Sequence, residues 1–449
     1  MVASASEARG RRRLWLAAPV AVSLLAAGLA AVGARRSFEL AEVERVLQAH
    51  RSWKTLAPVW HPHASDSLYL ILLKGWLHVG SSEAAVRAPS IAAVGCTAAV
   101  VYALGARLFD RPVGLAAGAA FAASAYTAGA GREAGPLAFA MPAAAVAAWL
   151  FVVARSSGSR LAWSAYVLVA GASVYIHASC ALVLVAHAAM LVFGARPTRR
   201  AGISVAATSA IAAPAVVAVL TVHRHLIDSL MQPSLGDVGR AAHDASGRNV
   251  LLLGLAVLGA ALLVREAAAG DNPSTLALLA AWTGTPLAAV LALSIARPSL
   301  DERYLAVSTP ALCLFAAVGL VRIPRRELLA AAAVTTLALG SARLVQLDRH
   351  ATESWRAAIS YVTSSKHAGD RIVVAPARAL SAFSYYAGPD RGSLSPGGPT
   401  SFVVVRAVDE AGAVAAARKA VHAPAYALRG ERRFGRHLRV QEWDRTGLP

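Results

Sequence analysis

Charge is what this sequence has least of. Asp, Glu, Lys and Arg make up 15% of its 449 residues, against about 25% in an ordinary soluble domain. So few charges cannot cover a water-facing surface of this size, which excludes the soluble globular classes. Cysteine is nearly absent as well. The three present, Cys96, Cys180 and Cys313, fall inside apolar runs, so there is neither a disulfide framework nor a metal-type spacing. Lysine is scarce, and the net charge of +19 is nearly all arginine. Those arginines stand in short clusters between apolar runs, not in one basic patch, which argues against nucleic acid as a partner. The apolar runs carry no acidic residues in their interiors and no matched pair of broken segments, so the signature of a transporter is lacking too.

What is there is hydrophobicity in long stretches. The chain is 57% apolar, and its runs of about 20 residues suffice to cross a hydrocarbon core of roughly 30 Å. Hydropathy predicts about eleven transmembrane helices, near 14–33, 88–106, 113–128, 136–153, 161–177, 178–193, 201–222, 249–264, 274–296, 304–321 and 327–345. The first follows Arg11, Arg12 and Arg13, and its apolar stretch from Leu14 to Gly33 exceeds the roughly 7–15 residues of a signal-peptide core, so it reads as a retained anchor. With the N-terminus in the cytoplasm, the inside loops carry Arg107 and Arg111, Arg155 and Arg160, Arg196, Arg199 and Arg200, Arg265, and Arg322, Arg325 and Arg326. That is the basic bias expected of cytoplasmic loops. An odd number of spans then leaves residues 346–449 outside. Abundant Ala and Arg fit a GC-rich bacterial genome, and the expected location is the bacterial plasma membrane.

On the outer side lie a long first loop (34–87), a short one (129–135), a third at 223–248 and the segment Arg297 to Arg303. The first loop holds a half-apolar helix from Leu68 to Val79, too short to span and suited to the interface, with Asp66 as its expected N-cap. Beyond residue 345 the pattern changes. Helix-period segments (Trp355 to Thr363, Glu410 to Val421) alternate with β-type runs at Arg371 to Ala375, Ser401 to Val405 and Leu438 to Glu442. The expected organisation is an all-α polytopic membrane domain over 1–345 and a small extracytoplasmic α/β domain over 346–449. The latter has no glycine fingerprint for phosphate, and its plainest role is a structural cap.

Six stretches in order carry a family resemblance: Ser37-Phe-Glu-Leu-Ala-Glu-Val-Glu44; Leu68-Tyr-Leu-Ile-Leu-Leu-Lys-Gly-Trp76 with Ser82-Glu-Ala-Ala-Val-Arg-Ala-Pro-Ser90; Gly105-Ala-Arg-Leu-Phe-Asp-Arg-Pro-Val-Gly114; Gly131-Arg-Glu-Ala-Gly-Pro-Leu-Ala138; Val174-Tyr-Ile-His177; and Glu302-Arg-Tyr-Leu305. Glu353-Ser-Trp-Arg-Ala-Ala358 and Gly369-Asp370 are similar to the usual opening of the C-terminal domain. The chain thus resembles the family 39 type membrane glycosyltransferases, the dolichyl- or polyprenyl-phosphate mannosyltransferase-like enzymes of the C-type fold. The resemblance implies transfer of a sugar from a polyprenyl-phosphate carrier to an acceptor at the outer face.

Such chemistry needs positive charge, or a divalent metal, beside the departing phosphate. It also needs a carboxylate to take the acceptor proton. The resemblance puts the base in the first loop, where the usual Asp position is Ala41 and Glu42 keeps the second acidic place. Glu39, three residues earlier, shares its face if the segment is helical; the plainer reading is a solvated first helical turn. Glu133 is a further candidate carboxylate. Arg132, His177, Arg297, Arg303 and Tyr304 are the candidate substrate-binding residues, the arginines for their fork-shaped phosphate recognition. The pairs His61/His63 and His223/His225 offer two metal ligands each and no third at a fixed spacing. Gly135 and Leu137 replace an Arg and a Tyr of the usual pattern. Together with Ala41 they open a second reading, a non-catalytic relative serving as an assembly or regulatory subunit.

Overall fold

The computed structural model describes residues 5–54, 64–193, 198–222, 235–296, 302–349, 353–367, 370–388, 400–406 and 426–446, with single positions between 412 and 419. His61, His63, His223, His225 and Arg297 lie outside the described residues, as does most of the expected helix from Glu410 to Val421. The chain divides into two units. One comprises Met1–Val32, Ser52–Val79 and Ala85–Val345; the other comprises Gly33–Arg51, Gly80–Ala84 and Gln346–Pro449. Two pieces of the first long loop therefore group with the C-terminal segment.

The first unit is helical. Its helices are α1 (Ala5–Ala31), α3 (Ser67–Trp76), α4 (Glu83–Leu108, whose first two residues belong to the second unit), α5 (Arg111–Ala123), α6 (Ala125–Gly131) and α7 (Leu137–Ser157). They continue as α8 (Arg160–Ser173), α9 (Cys180–Phe193), α10 (Arg199–Val222), α11 (Leu235–Ala245), α12 (Val250–Ala268), α13 (Pro273–Ala296), α14 (Thr309–Val321) and α15 (Arg326–Arg349). Among the described residues seven helices are long and apolar enough to cross a membrane, or eight if the bent pair α5–α6 counts as one span. The apolar stretches Ala17–Ala31 and Cys180–Val192 are shorter.

Helix starts follow local chemistry. Asp110 accepts the Val113 N–H at 2.8 Å ahead of α5, with Pro112 in the first turn, and Asn249 accepts the Leu252 N–H at 3.1 Å ahead of α12. Close packing comes from small residues. A Cβ on Gly259 of α12 would lie 1.9 Å from the Phe315 carbonyl oxygen, and one on Gly319 of α14 would lie 2.1 Å from that of Leu255. The two backbones touch only because both positions are glycine.

One expected uninterrupted span, near 113–128, is broken. Ser124 is extended (φ −70, ψ 123) and α6 departs from α5 at 62°. At the bend the Phe121 carbonyl accepts the Ser124 N–H at 3.2 Å and the Ser124 carbonyl the Ala128 N–H at 3.1 Å, and the Thr127 hydroxyl donates to both at 2.7 and 2.9 Å. These backbone oxygens are thus satisfied inside the protein, as a break in a membrane span requires.

The second unit is α/β. Helix α2 (Leu40–His50) and α16 (Trp355–Ser365) accompany a four-stranded sheet ordered β1 (Arg371–Ala375), β2 (Thr400–Arg406), β4 (Leu438–Arg445), β3 (Tyr426–Arg433), with α17 (Leu380–Ala387) after β1. β1 pairs parallel to β2, whereas β2 and β3 pair antiparallel to β4. Three of the strands coincide with the β-type runs in the sequence. β3 does not, because Tyr-Ala-Leu-Arg-Gly-Glu-Arg-Arg is a largely exposed edge strand whose charges discourage further pairing. The central β2 is buried from Ser401 to Val405, and Val403, Val405, Ala417 and Trp443 form its core.

Candidate functional site

In the first unit the candidate residues stand on chain breaks between helices. Helix α6 ends at Gly131, where a Cβ would meet the Ala30 methyl at 2.8 Å. Arg132 follows as the C-cap and donates to the Leu29 carbonyl at 3.2 Å. Both contacts fall on the last turn of α1. Glu133 comes next, half-buried, and α7 begins four residues later.

The turn between α8 and α9 meets the same end. The Cys180 thiol at the head of α9 approaches the Ala140 carbonyl in the first turn of α7 at 3.8 Å. Three residues before it stands His177. The Ser179 N–H donates to His177 Nδ1 at 3.3 Å, and the Ser179 hydroxyl lies 2.7 Å from the same nitrogen. Ser179 thus engages the Nδ1 side of the ring and fixes its orientation. The His177 ring packs beside Tyr304, centroids 6.3 Å apart, at the start of the 3-10 turn Glu302–Ser308 that leads into α14. Two bonds hold that turn: the Trp282 indole donates to the Val307 carbonyl at 2.8 Å, and the Ser308 hydroxyl donates to the Trp282 carbonyl at 3.1 Å. Arg303 precedes Tyr304 and is exposed.

Helix α3 docks here as well, and Asp66 does not cap it in the expected way. Asp66 occupies the N-cap position, but its side chain makes no capping bond. The Leu68 N–H instead donates to the Tyr175 carbonyl at 2.9 Å. A tertiary acceptor has taken the orphan donor that a cap would have satisfied. Tyr69 then packs on Phe139 at 5.6 Å. Tyr69, Leu72, Leu73, Trp76, Val86 and Phe139 are among the residues that line an apolar cleft of about 130 Å³. The sequence pattern of this helix does not reveal the cleft, since its far wall lies on α4 and α7.

In the second unit, Glu39 and Glu42 do share a helical turn, but the solvated reading of it is overturned. Glu39 is the N-cap of α2 (φ −75, ψ 161), and the Glu42 carboxylate accepts the Glu39 N–H at 2.9 Å. Glu42 is only 1% exposed. This reciprocal arrangement is a capping box.

Four residues that sequence reasoning did not single out surround this turn. The buried Glu353 carboxylate accepts from the Leu40 N–H at 2.9 Å, the Trp355 indole at 2.7 Å and Arg406 Nε at 2.5 Å. Glu83 pairs with Arg356 and accepts the Tyr386 hydroxyl at 3.1 Å. The Phe38 N–H in turn donates to the Tyr386 oxygen at 2.5 Å. Burial, with the Glu83 charge adding to it, pushes the Tyr386 phenol well above its ordinary range, so it stays a donor. Glu83 and Glu353 belong to the motif stretches Ser82–Ser90 and Glu353–Ala358, whereas Tyr386 and Arg406 carry no local signal. Among the described residues no group of three or more His, Cys, Asp or Glu is placed to hold a metal ion.

Residues 68–222 match the family described as dolichyl-phosphate-mannose-protein mannosyltransferase. No curated protein sequence matches the chain. Among solved structures, ArnT from Cupriavidus metallidurans in the apo state superposes with a TM-score of 0.60 at 13% identity, over 97% of this chain and 98% of that one. The same protein bound to undecaprenyl phosphate gives 0.59 at 13% identity, over 96% and 98%. The archaeal oligosaccharyltransferase AglB from Archaeoglobus fulgidus, in complex with an inhibitory peptide and a dolichol-phosphate, gives 0.54 at 10% identity, over 84% of this chain and 64% of that one. The fold is that of these membrane proteins, and the resemblance drawn from the sequence motifs is borne out.

Proposed function

We propose that this chain, a family 39-like membrane glycosyltransferase in fold and in its match over residues 68–222, moves a sugar from a polyprenyl-phosphate carrier to an envelope glycan, lipid or protein. The observation that supports the reading is the packing of His177 against Tyr304, with Arg303 beside Tyr304 and Arg132 and Glu133 on the chain break that leads into α7, the helix whose first turn also meets the start of α9. ArnT, whose trace this chain follows, has been seen bound to undecaprenyl phosphate. On this reading the site faces the outside of the bacterial plasma membrane, where the carrier holds its phosphate at headgroup depth.

The reaction breaks the bond between the sugar's anomeric carbon and the carrier phosphate oxygen. It forms one to the acceptor oxygen, and the acceptor proton goes to a carboxylate. Arg132 and Arg303 supply guanidinium forks to the departing phosphate. His177 offers a further polar group to the donor, and Tyr304 packs beside its ring. Glu133, next to Arg132, is the base of this unit.

The test is transfer of radiolabelled sugar from defined polyprenyl-phosphate donors by the purified protein. Glu133→Gln should lower the rate about 100- to 10,000-fold, the usual contribution of a general base, and Arg132→Ala should weaken donor use. Equal rates for Glu133→Gln and wild type would overturn the assignment of the base. The non-catalytic reading has one observation in its favour: Glu42, which keeps the usual acidic position, is engaged in a structural capping box. Absence of transfer from every donor, with the chain recovered in a stable assembly with another membrane protein, would establish that reading instead.

A further inference from the structure

The opposite end of the same helices holds a second recess that the transferase reading does not use. Helix α7 runs 21 residues from Leu137 to Ser157. At 1.5 Å per residue that sets its last turn about 30 Å from the Arg132 end. There α7 closes on Gly158, whose φ of +63 is a left-handed turn that suits glycine. The end of α7, the first turn of α8, the end of α9 and the start of α10 enclose a recess of about 280 Å³ lined by Arg155, Gly158, Trp163, Leu191, Thr198 and Arg200, among others.

Its electrostatics are one-sided. From Ala134 to Ile227 the chain contains no Asp or Glu. Arg155 Nη1 donates to the Met190 thioether at 2.9 Å, a weak acceptor for a cation, and its guanidinium stands 5.9 Å over the Phe151 ring. Arg200 donates to the Gly158 carbonyl. Among the described residues neither arginine forms an ion pair. Of the acidic groups at neighbouring helix ends, Asp110 accepts the Val113 N–H at 2.8 Å and Glu266 pairs with Arg322 at 2.7 Å, and Asp271 and Glu327 are exposed and do not line the recess. Two capped helix N-termini add to the positive field: Ser159 accepts from Ala162 N–H at 3.4 Å for α8, and Thr198 from Ala201 N–H at 3.2 Å for α10. Trp163 is buried in the wall, with the apolar body and polar tip typical of the membrane–water boundary.

We propose that this recess binds the headgroup of an acidic phospholipid, its phosphodiester held between Arg155 and Arg200 and its acyl chains following the apolar flanks of α7 and α9. Basic pockets between helices at a bilayer surface select anionic lipids in this way. Half-buried arginine beside a thioether and an aromatic ring gains most from an anion that enters from the lipid side, where no carboxylate of these helices can compete.

Native mass spectrometry of the delipidated full chain tests this, with phosphatidylglycerol and phosphatidylcholine supplied in equal amounts. The expected result is selective retention of one phosphatidylglycerol. Retention should fall about fivefold for each of Arg155→Gln and Arg200→Gln, stay unchanged in Arg265→Gln on α12, and be partly kept in Arg155→Lys. Size-exclusion profiles matching wild type separate loss of binding from loss of fold. If a variant does not fold, the lysine variant and the wild-type lipid preference still decide the matter. Equal retention of the two lipids by wild type, or undiminished phosphatidylglycerol in both glutamine variants, would overturn the proposal. So would full displacement by millimolar inorganic phosphate, which would mark a site for the free anion.

Discussion

Replacing Glu353 by Ala should loosen the second unit substantially. The carboxylate is buried, with its side chain 0% exposed in the pair with Arg406, and it receives donors from three places: the first helical residue of α2, the indole of Trp355 and the guanidinium of Arg406. Removing it leaves the Leu40 N–H and the Trp355 indole buried without that acceptor, at about 1–3 kcal/mol each. It also leaves Arg406 three-quarters buried without its counter-charge. Breaking a buried pair from one side costs about 3–5 kcal/mol in total, a large part of the roughly 5–15 kcal/mol that holds a domain together. Hydrogen exchange on the full-length protein reads this directly. Amides of β1, β2 and β4 should exchange about 150- to 5,000-fold faster, the same free energy at 1.36 kcal/mol per tenfold. The double variant Glu353→Met with Arg406→Met should recover only part of the loss. It removes the orphaned charge but still offers the Leu40 N–H and the Trp355 indole no acceptor. Exchange in Glu353→Ala within about threefold of wild type would refute the claim that this carboxylate pins α2 to the strands of its unit.

Other consequences follow from the same geometry. Glu42→Gln keeps a side chain able to close the capping box, so thermal stability should hold, whereas Glu42→Ala should cost about 1 kcal/mol; loss of sugar transfer in Glu42→Gln at unchanged stability would move the base from Glu133 to Glu42. Gly259→Ala puts a methyl into the Phe315 carbonyl oxygen, and the unfolding midpoint in detergent should drop by the equivalent of about 1–3 kcal/mol or more; an unchanged midpoint would mean that α12 and α14 can separate freely. The raised Tyr386 phenol contributes stability that is fully present below its unfolded value of about 10 and lost as pH rises through its higher folded value. Wild type and Tyr386→Phe should therefore differ by a constant amount between pH 7 and 9 and converge only at more alkaline pH, as followed by denaturant midpoints.

The sequence by itself determined that the chain lives in a membrane and where most of its helices run, because burial in lipid is a property of twenty consecutive residues and needs no partner. It also determined three of the four strands, since an apolar run bounded by turn residues is equally local, and six ordered motifs sufficed for the fold family. It did not determine β3, an exposed and charged edge strand that exists only because β4 is there to pair with. Nor did it determine the break at Ser124, where the Phe121 and Ser124 carbonyls find their partners in the Ser124 and Ala128 N–H groups and the Thr127 hydroxyl. Only the tertiary structure decided which polar groups are spent and which gather. Asp66 lost its capping role to the Tyr175 carbonyl, Glu42 turned out buried in a cap, and Glu353 took up donors from residues 40, 355 and 406. The meeting of His177 with Tyr304, 127 positions later, depends on where helices cross, and the sequence pattern, which records each residue's affinity for water or lipid, carries no term for that.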